Sequence, residues 1–270
     1  MKISIIVTNH KTPELLKLCL ESIKKAGQDL VYEIVVADSE SQEEAQDMMR
    51  EFFPEIKVLA FKKNTSYAKL INSGLAELKS KGDYTLILNA DMVLSLDSLK
   101  KMIEYLEEHQ DVGLLGPQLL NFDDSIQDSC FRFHRFYTIP LRRTFLGKTT
   151  WGKKELERFT MSDFDRTSTK EVGWVLGAAL MIRQESLDEV GAIDERYFLY
   201  LEDTDWCRRF WEAGWKVVYF PGAKMYHYHG RMSKKAGGLV DLFVNKYTWI
   251  HIASALRYFW KFRSKPLPIK

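Results

Sequence analysis

Short apolar runs and amphipathic stretches alternate along the first 116 residues. Residues 3–8 are apolar apart from Ser4 and Thr8, with no polar face, as expected of a strand covered on both sides. Residues 13–26 carry helical spacing, opened by Thr12-Pro13 and stopped by Gly27. The same alternation predicts strands at 32–37, 56–61, 84–88 and 112–115. It predicts helices at 42–53 (ended by Pro54), 67–79 and 96–109. Strands that alternate with helices imply an α/β fold whose mostly parallel central sheet is flanked by helices on both faces. Such sheets bind ligands beyond the carboxyl ends of their strands. The turns that matter are then Thr8-Asn9-His10, Asp38-Ser39, Asn64 and Asn89-Ala90-Asp91.

The second half is less regular. Residues 131–159 mix aromatics with Arg132, Arg135, Arg142, Arg143, Lys148, Lys153, Lys154 and Arg158 and show no period, which predicts a long loop with short helices. Residues 174–183 form one apolar run, read as a strand. Residues 206–213 predict a short helix stopped by Gly214, and 215–220 a strand ended by Pro221-Gly222. Residues 239–262 carry an aromatic-rich helical pattern with Lys246, Arg257 and Lys261. No repeat or low-complexity linker separates the parts. The expected organisation is a first half (1–116), a second half (117–235) sharing the same sheet, and a C-terminal helical extension with a basic, aromatic tail (236–270).

Composition narrows the class without naming it. With 270 residues and 46% hydrophobic content, the chain can bury a large core. A net charge of +2 gives no reason to expect a nucleic-acid partner. Cys19, Cys130 and Cys207 are too scattered for a metal site or a disulfide framework. The first residues do not read as a signal peptide, and no uncharged run reaches the length of a membrane span. The expectation is a cytoplasmic protein, soluble or peripheral on the cytoplasmic face of a membrane.

Three carboxylates, Glu202, Asp203 and Asp205, fall within four residues after the aromatic run 197–201. Taken alone they read as helix-capping acids. Asp38, directly after a strand, can accept from a uracil or thymine N–H or a ribose hydroxyl, or can simply make an Asx turn. Asn89 and Asp91 alternate on an extended segment and can face the same side. One carboxylate with water and phosphate oxygens suits Mg²⁺ or Mn²⁺; a capped turn before the next helix is the plainer reading.

Order and spacing add what single turns lack. Ser4-Ile-Ile-Val-Thr-Asn-His10, Ile34-Val-Val-Ala-Asp38-Ser-Glu-Ser41, Asn64-Thr-Ser-Tyr-Ala68, Leu86-Ile-Leu-Asn-Ala-Asp91, Gly173-Trp-Val-Leu-Gly-Ala-Ala179 and Phe198-Leu-Tyr-Leu-Glu-Asp-Thr-Asp-Trp206 follow one another. Ala213-Gly-Trp-Lys-Val-Val-Tyr219 and His227-Tyr-His-Gly230 complete the series. Together, over about residues 2–235, they resemble the nucleotide-sugar-dependent glycosyltransferases of family 2, which have the GT-A fold, and within them the bacterial rhamnosyltransferase-like branch that builds surface polysaccharides.

The resemblance implies roles. Thr8, Asn9, His10 and Asp38 would hold the nucleoside, and Asn64, Asn72, Asn89, Ala90 and Asp91 the sugar diphosphate. Asp91 would bind Mg²⁺ or Mn²⁺, with His227, or alternatively His229, beside it. Asp203 would be the general base and Glu202 would orient a sugar, while Asp205 keeps the capping role. Trp174, Gly177 and Glu202 would line the acceptor side. Two positions depart from the family pattern: Asn89 stands where an Asp is common, and Ser66 where Gly is usual. The implied reaction is inverting transfer from a dTDP-, UDP- or GDP-sugar to a glycan or lipid-linked acceptor.

Other classes fit less well. A nucleotidyltransferase or a dinucleotide dehydrogenase would be expected to show a glycine-rich phosphate loop after the first strand, and residues 4–11 contain no glycine. A non-catalytic protein of the same fold would be expected to have lost Asp91 or Asp203, and both are present. The basic aromatic stretch 131–159 and the C-terminal helix suit an anionic lipid-linked acceptor or a membrane surface. Packing of that helix across the catalytic domain, or in a homodimer, are the alternatives.

Overall fold

A computed structural model describes residues 2–79, 81–228 and 246–269. His229 and the first part of the predicted C-terminal helix, 239–245, lie outside the described residues. The chain begins with β1 (Lys2–His10), α1 (Pro13–Ala26), β2 (Val31–Ser39), α2 (Glu43–Phe52), β3 (Lys57–Phe61), α3 (Tyr67–Ala76) and β4 (Tyr84–Asn89). The short β5 (Met92–Leu94), α4 (Ser98–Glu108) and β6 (Val112–Leu120) follow. Next come β7 (Cys130–Phe131), α5 (Thr138–Arg143), a 3-10 turn (Phe145–Lys148) and α6 (Thr150–Thr160). The remainder is β8 (Lys170–Glu171), β9 (Trp174–Val175), β10 (Ala179–Arg183), α7 (Gln184–Val190), α8 (Glu202–Glu212), β11 (Lys216–His227) and α9 (Lys246–Lys261).

Among the described residues one sheet runs in the order β3-β2-β1-β4-β10-β6-β11-β5, with β8 joined to β11. The strands β3, β2, β1 and β4 are parallel neighbours, as are β6 and β11. Strand β10 runs antiparallel between β4 and β6, and β5 antiparallel to β11. Successive residues of the central strands serve opposite faces. Ile5, Val7, Leu86, Leu88 and Met181 join the core with α1 and α4, whereas Ile6, Ile87, Leu180 and Ile182 join the core with α3 and α8. Burial on both faces explains why these strands read as unbroken apolar runs. The boundary expected at residue 116 falls inside β6, so the two halves share one sheet.

Several predicted elements change. The run 174–183 is two strands: β9 pairs with β7 in a separate ribbon and β10 enters the main sheet, with the chain switching sheets at Leu176-Gly177-Ala178. Strand β11 does not stop at Pro221-Gly222. A bulge between Phe220 and Lys224 absorbs the pair, and the strand continues to pair His227 with Met92 of β5. The stretch 131–159, expected as a long loop with short helices, contains the short α5 and nearly all of the 11-residue α6, and α7 is an additional element. Helix α8 starts at Glu202 rather than Trp206, entered through Tyr200 and Leu201, both with left-handed φ (69° and 65°). The acids therefore form the first turn of α8, where they complement its positive end.

Candidate active site

The parallel register sets the nucleotide side of the site. Asn9 of β1 lies opposite Asp38 of β2, and Thr8 opposite Asn89 of β4, so four of the predicted residues form one row across three strand ends. The Asn9 amide donates to Asp38 Oδ1 at 2.8 Å, and Thr12 Oγ1 donates to Asn9 Oδ1 at 2.7 Å. Thr8 Oγ1 lies 3.1 Å from Asn89 Oδ1. Burial holds the Asp38 carboxyl above its ordinary range, partly offset by hydrogen bonds from Ser41 and Asn9. His10 ends β1 and pairs with Glu40 at 3.0 Å. The turns after β1 and β2 carry left-handed residues, Lys11 (φ 59°) and Glu40 (φ 49°), and these sharp reversals turn the row into a shallow rim.

Asn64 is exposed in the loop after β3, and its neighbour Thr65 is tied by its N–H to Ser39 Oγ at 2.8 Å, next to Asp38. Asn72 stands apart from this row. Its amide donates to the Ile193 carbonyl and to Glu195, both at 2.9 Å, and anchors α3 to the segment before α8.

The turn after β4 carries the residues that fit a metal. Ala90 N–H donates to the Thr8 carbonyl at 2.8 Å, which fixes the path of Asn89-Ala90-Asp91. Asp91 Oδ1 is buried without a hydrogen-bond partner, and Oδ2 lies 3.6 Å from His227 Nε2. Gln127 grips His227 twice: its amide N–H donates to the His227 carbonyl at 2.9 Å, and its oxygen faces Nδ1 at 2.8 Å. An amide oxygen at Nδ1 requires a proton there and fixes the ring so that Nε2 faces Asp91. An orphaned carboxylate oxygen beside an oriented imidazole fits a hard divalent ion that completes its shell with phosphate oxygens and water. Among the described residues no group of three or more His, Cys, Asp or Glu is placed to hold a metal ion, so Asp91 and His227 are the two side chains offered here.

The third component lies across the turn between β9 and β10. Gly177 N–H donates to Asp203 Oδ2 at 3.1 Å, and Thr204 N–H donates to Oδ1 at 2.7 Å. Ala178, the next residue, accepts from Asn89 N–H at 2.9 Å. Tyr67 Oη donates to the Gly177 carbonyl. Gly177 and Ala178 thus tie the Asn89–Asp91 turn to the acids of α8, and Tyr67 braces Gly177. Glu202 Oε2 is buried and unpartnered. Burial raises the Glu202 carboxyl well above its ordinary range and the neighbouring Asp203 charge adds to this; burial raises Asp203 too, against the lowering by its backbone N–H donors. Two adjacent buried acids with raised proton affinity, one of them unsatisfied, are suited to receiving a proton.

Trp174 stacks on Phe131 at 4.5 Å and donates from its indole N–H to the Arg132 carbonyl, forming a buried wall beside Gly177. Asp205 does not cap α8. Its fully buried carboxylate accepts from Tyr197 at 3.1 Å, Arg209 at 3.0 Å and Lys261 of α9 at 2.7 Å. Sequence reasoning passed over Tyr67 and Gln127. Tyr67 lies inside the Asn64–Ala68 motif but received no role there, whereas Gln127 sits in an unpatterned loop a hundred positions from its partner.

Comparison with known proteins agrees with this geometry. The model of the glycosyl transferase family 2 domain matches residues 4–191. The chain is 24% identical over 237 residues to an N-acetylglucosaminyl-diphospho-decaprenol L-rhamnosyltransferase of Mycobacterium tuberculosis, covering 84% of this chain and 76% of that protein. It is 24% identical over 263 residues to the rhamnosyltransferase WbbL of Escherichia coli, covering 94% and 91%. In fold it resembles GalNAc-T7 solved with UDP, GalNAc and Mn²⁺ (TM-score 0.62, 15% identity, 84% of this chain and 44% of that one). It also resembles Staphylococcus aureus TarS (TM-score 0.57, 16% identity, 84% and 36%), so it spans less than half of either solved chain. With the family model covering residues 4–191, most of its length, the chain belongs to glycosyl transferase family 2.

Proposed function

We propose that the protein is an inverting, metal-dependent glycosyltransferase that moves a sugar from a nucleoside diphosphate to a hydroxyl of a glycan or lipid-linked saccharide, in surface polysaccharide synthesis on the cytoplasmic face of the membrane. Rhamnose is the sugar that the named relatives favour. The observation that carries the reading is the pair of buried, unpartnered carboxylate oxygens, Asp91 Oδ1 and Glu202 Oε2, on either side of the turn that holds Asp203. Asn9, Asp38 and the strand-end row would take the nucleoside, and residues 117–235 the acceptor. Asp91 and His227 would hold Mg²⁺ or Mn²⁺, which neutralises charge on the departing diphosphate when bound.

Asp203 accepts the proton of the acceptor hydroxyl as its oxygen forms a bond to the anomeric carbon. The bond from that carbon to the phosphate oxygen breaks on the opposite face, and the electron pair leaves with the nucleoside diphosphate, so configuration inverts. Gly177 and Thr204 N–H groups fix the carboxylate while leaving a lone pair for the proton. Glu202, buried alongside, orients the sugar.

Two substitutions test the reading. Asp203→Asn is expected to lower transfer by about a thousandfold, while nucleotide still raises the melting temperature in the presence of Mn²⁺. Turnover at the wild-type rate would rule Asp203 out as base. Asp91→Ala is expected to abolish the Mn²⁺-dependent part of that thermal shift; an unchanged shift counts against the metal assignment.

A further inference from the structure

Arg142 and Arg143, adjacent at the end of α5, lie beside two buried histidines, His134 and His251. Among the described residues neither guanidinium pairs with a carboxylate. Arg142 rests over the Phe159 ring at 5.1 Å, and the His134 ring lies 4.5 Å from the same ring. Arg143 donates to His251 Nδ1 at 2.9 Å and to Thr248 Oγ1 at 3.1 Å. The acids nearby are already engaged: Glu155 by Arg135, Arg158 and Thr138, and Asp128 by Arg166 at 2.8 Å. His134 Nδ1 is buried and has no hydrogen-bond partner. Burial and the two arginine charges hold His251 down to about 3, and burial, Arg142 and His251 hold His134 well below its ordinary range. Arg142 and Arg143 are exposed to solvent and, among the described residues, unpaired with a carboxylate, and the two histidines beside them are held neutral, so the cluster presents two open guanidinium charges and an unsatisfied imidazole nitrogen to an anion.

The cluster borders the proposed acceptor side. The His134 ring lies 5.6 Å from Trp174. The Tyr200 ring lies 4.9 Å from His251, two residues before Glu202, and Tyr200 feels the charges of both Arg143 and Glu202. The outer edge of the cluster is apolar and basic. Phe145 and Leu146, one residue beyond the arginines, are exposed, as are Trp249, Leu256 and Trp260, which share the outward face of α9. Lys148, Lys153 and Arg263 are exposed around them.

We propose that Arg142, Arg143, His134 and His251 form a subsite for the phosphate of the acceptor, with the exposed aromatic rim meeting the lipid that carries it. This rests on the glycosyl-transfer reading and specifies its acceptor: an anionic, lipid-linked saccharide whose phosphate sits on the arginines and whose sugar reaches past Tyr200 to Asp203. A guanidinium pair offers charge-assisted bonds to phosphate oxygens. His134 Nδ1 and His251 Nε2 can join them as neutral imidazoles.

The test is equilibrium binding to the full chain with UDP present and divalent metal chelated, so that the metal turn contributes no diphosphate site. Probes are farnesyl diphosphate, farnesol, inorganic pyrophosphate and phosphatidylglycerol vesicles. Farnesyl diphosphate is expected to bind most tightly, and Arg142→Ala to weaken it roughly tenfold or more, with Arg143→Lys milder. Arg142 makes no hydrogen bond to the described residues, so its removal leaves the fold intact; an unchanged melting temperature verifies that. Pyrophosphate as tight as farnesyl diphosphate would keep the phosphate subsite and assign it to a soluble ligand. Farnesol as tight as farnesyl diphosphate, vesicles alone binding with no farnesyl diphosphate competition, or an Arg142→Ala protein that binds like wild type would overturn the proposal. Failure of wild type to bind nucleotide with Mn²⁺ would instead strike at the glycosyl-transfer reading.

Discussion

Glu202 is the least comfortable side chain in the molecule, fully enclosed, with one oxygen unsatisfied and Asp203 next to it. Its folded-state pKa is raised above that of the unfolded chain, so ionising it in the fold costs stability. The sign follows: its contribution is harmless below the unfolded value and becomes a penalty as pH rises through the folded value. Glu202→Gln is therefore expected to raise the melting temperature at pH 8 by about 3–5 °C and to change little at pH 4, while activity falls; equal shifts at both pH values would show that the penalty is not ionic. Asp203, raised by burial as well, must be ionised to act. The acidic limb of kcat is expected above the ordinary carboxylate value of about 4, and a limb at that value would place the base elsewhere. Tyr67 acts through another residue. Its hydroxyl bonds the Gly177 carbonyl while the Gly177 N–H bonds Asp203, so Tyr67→Phe is expected to lower kcat about tenfold with donor affinity unchanged. A change in nucleotide binding instead would give it a donor-side role.

At the scale of elements, α8 and α9 are locked by charge inside a shared core. Lys261 reaches Asp205 and Asp194, Arg208 reaches the Lys265 and Pro266 carbonyls at 3.1 Å, and Tyr197, Leu201, Tyr258 and Phe262 pack together. Asp205→Ala leaves Lys261 and Arg209 without their common partner and is expected to cost about 3 kcal/mol in urea unfolding; a loss under 1 kcal/mol would show water reaching the cavity. The elements that a sequence betrays are those built from local pattern. The first-half strands and helices were legible because burial on both sheet faces leaves apolar runs and because Pro13, Gly27 and Pro54 punctuate them. The extension of β11 past Pro221-Gly222 was not, since a bulge can absorb residues that normally end a strand. Nor was the start of α8, which depends on two non-glycine residues held left-handed by their surroundings.

For the whole molecule, the row Thr8, Asn9, Asp38 and Asn89 was legible because parallel strands present their ends together. The place of His227 beside Asp91 was reached through the resemblance and not through local spacing, and the hold of Gln127 on it was missed, since that depends on pairings across a hundred residues. The antiparallel insertion of β10 between β4 and β6 is likewise a long-range fact that no local spacing records. Removing residues 246–270 offers a test of how far the parts are separable. The cut strips the cover from Tyr197 and Leu201 beside the acids, but leaves the strand ends of β1, β2 and β4 untouched. Transfer is expected to be lost while nucleotide and Mn²⁺ still shift the melting temperature; loss of both would mean that α9 is needed for the whole fold.

The switch at Leu176-Gly177-Ala178 also fixes a distance. The Asn89 N–H bond to the Ala178 carbonyl holds the turn after β4 by peptide geometry that side-chain changes leave alone, and the adjoining Gly177 N–H reaches from there to the Asp203 carboxylate. The segment 121–173, by contrast, joins the main sheet at its end, where β8 pairs with β11, and is otherwise built from its own ribbon strand and helices. Sequence changes within it leave the tie between Asn89 and Ala178 in place.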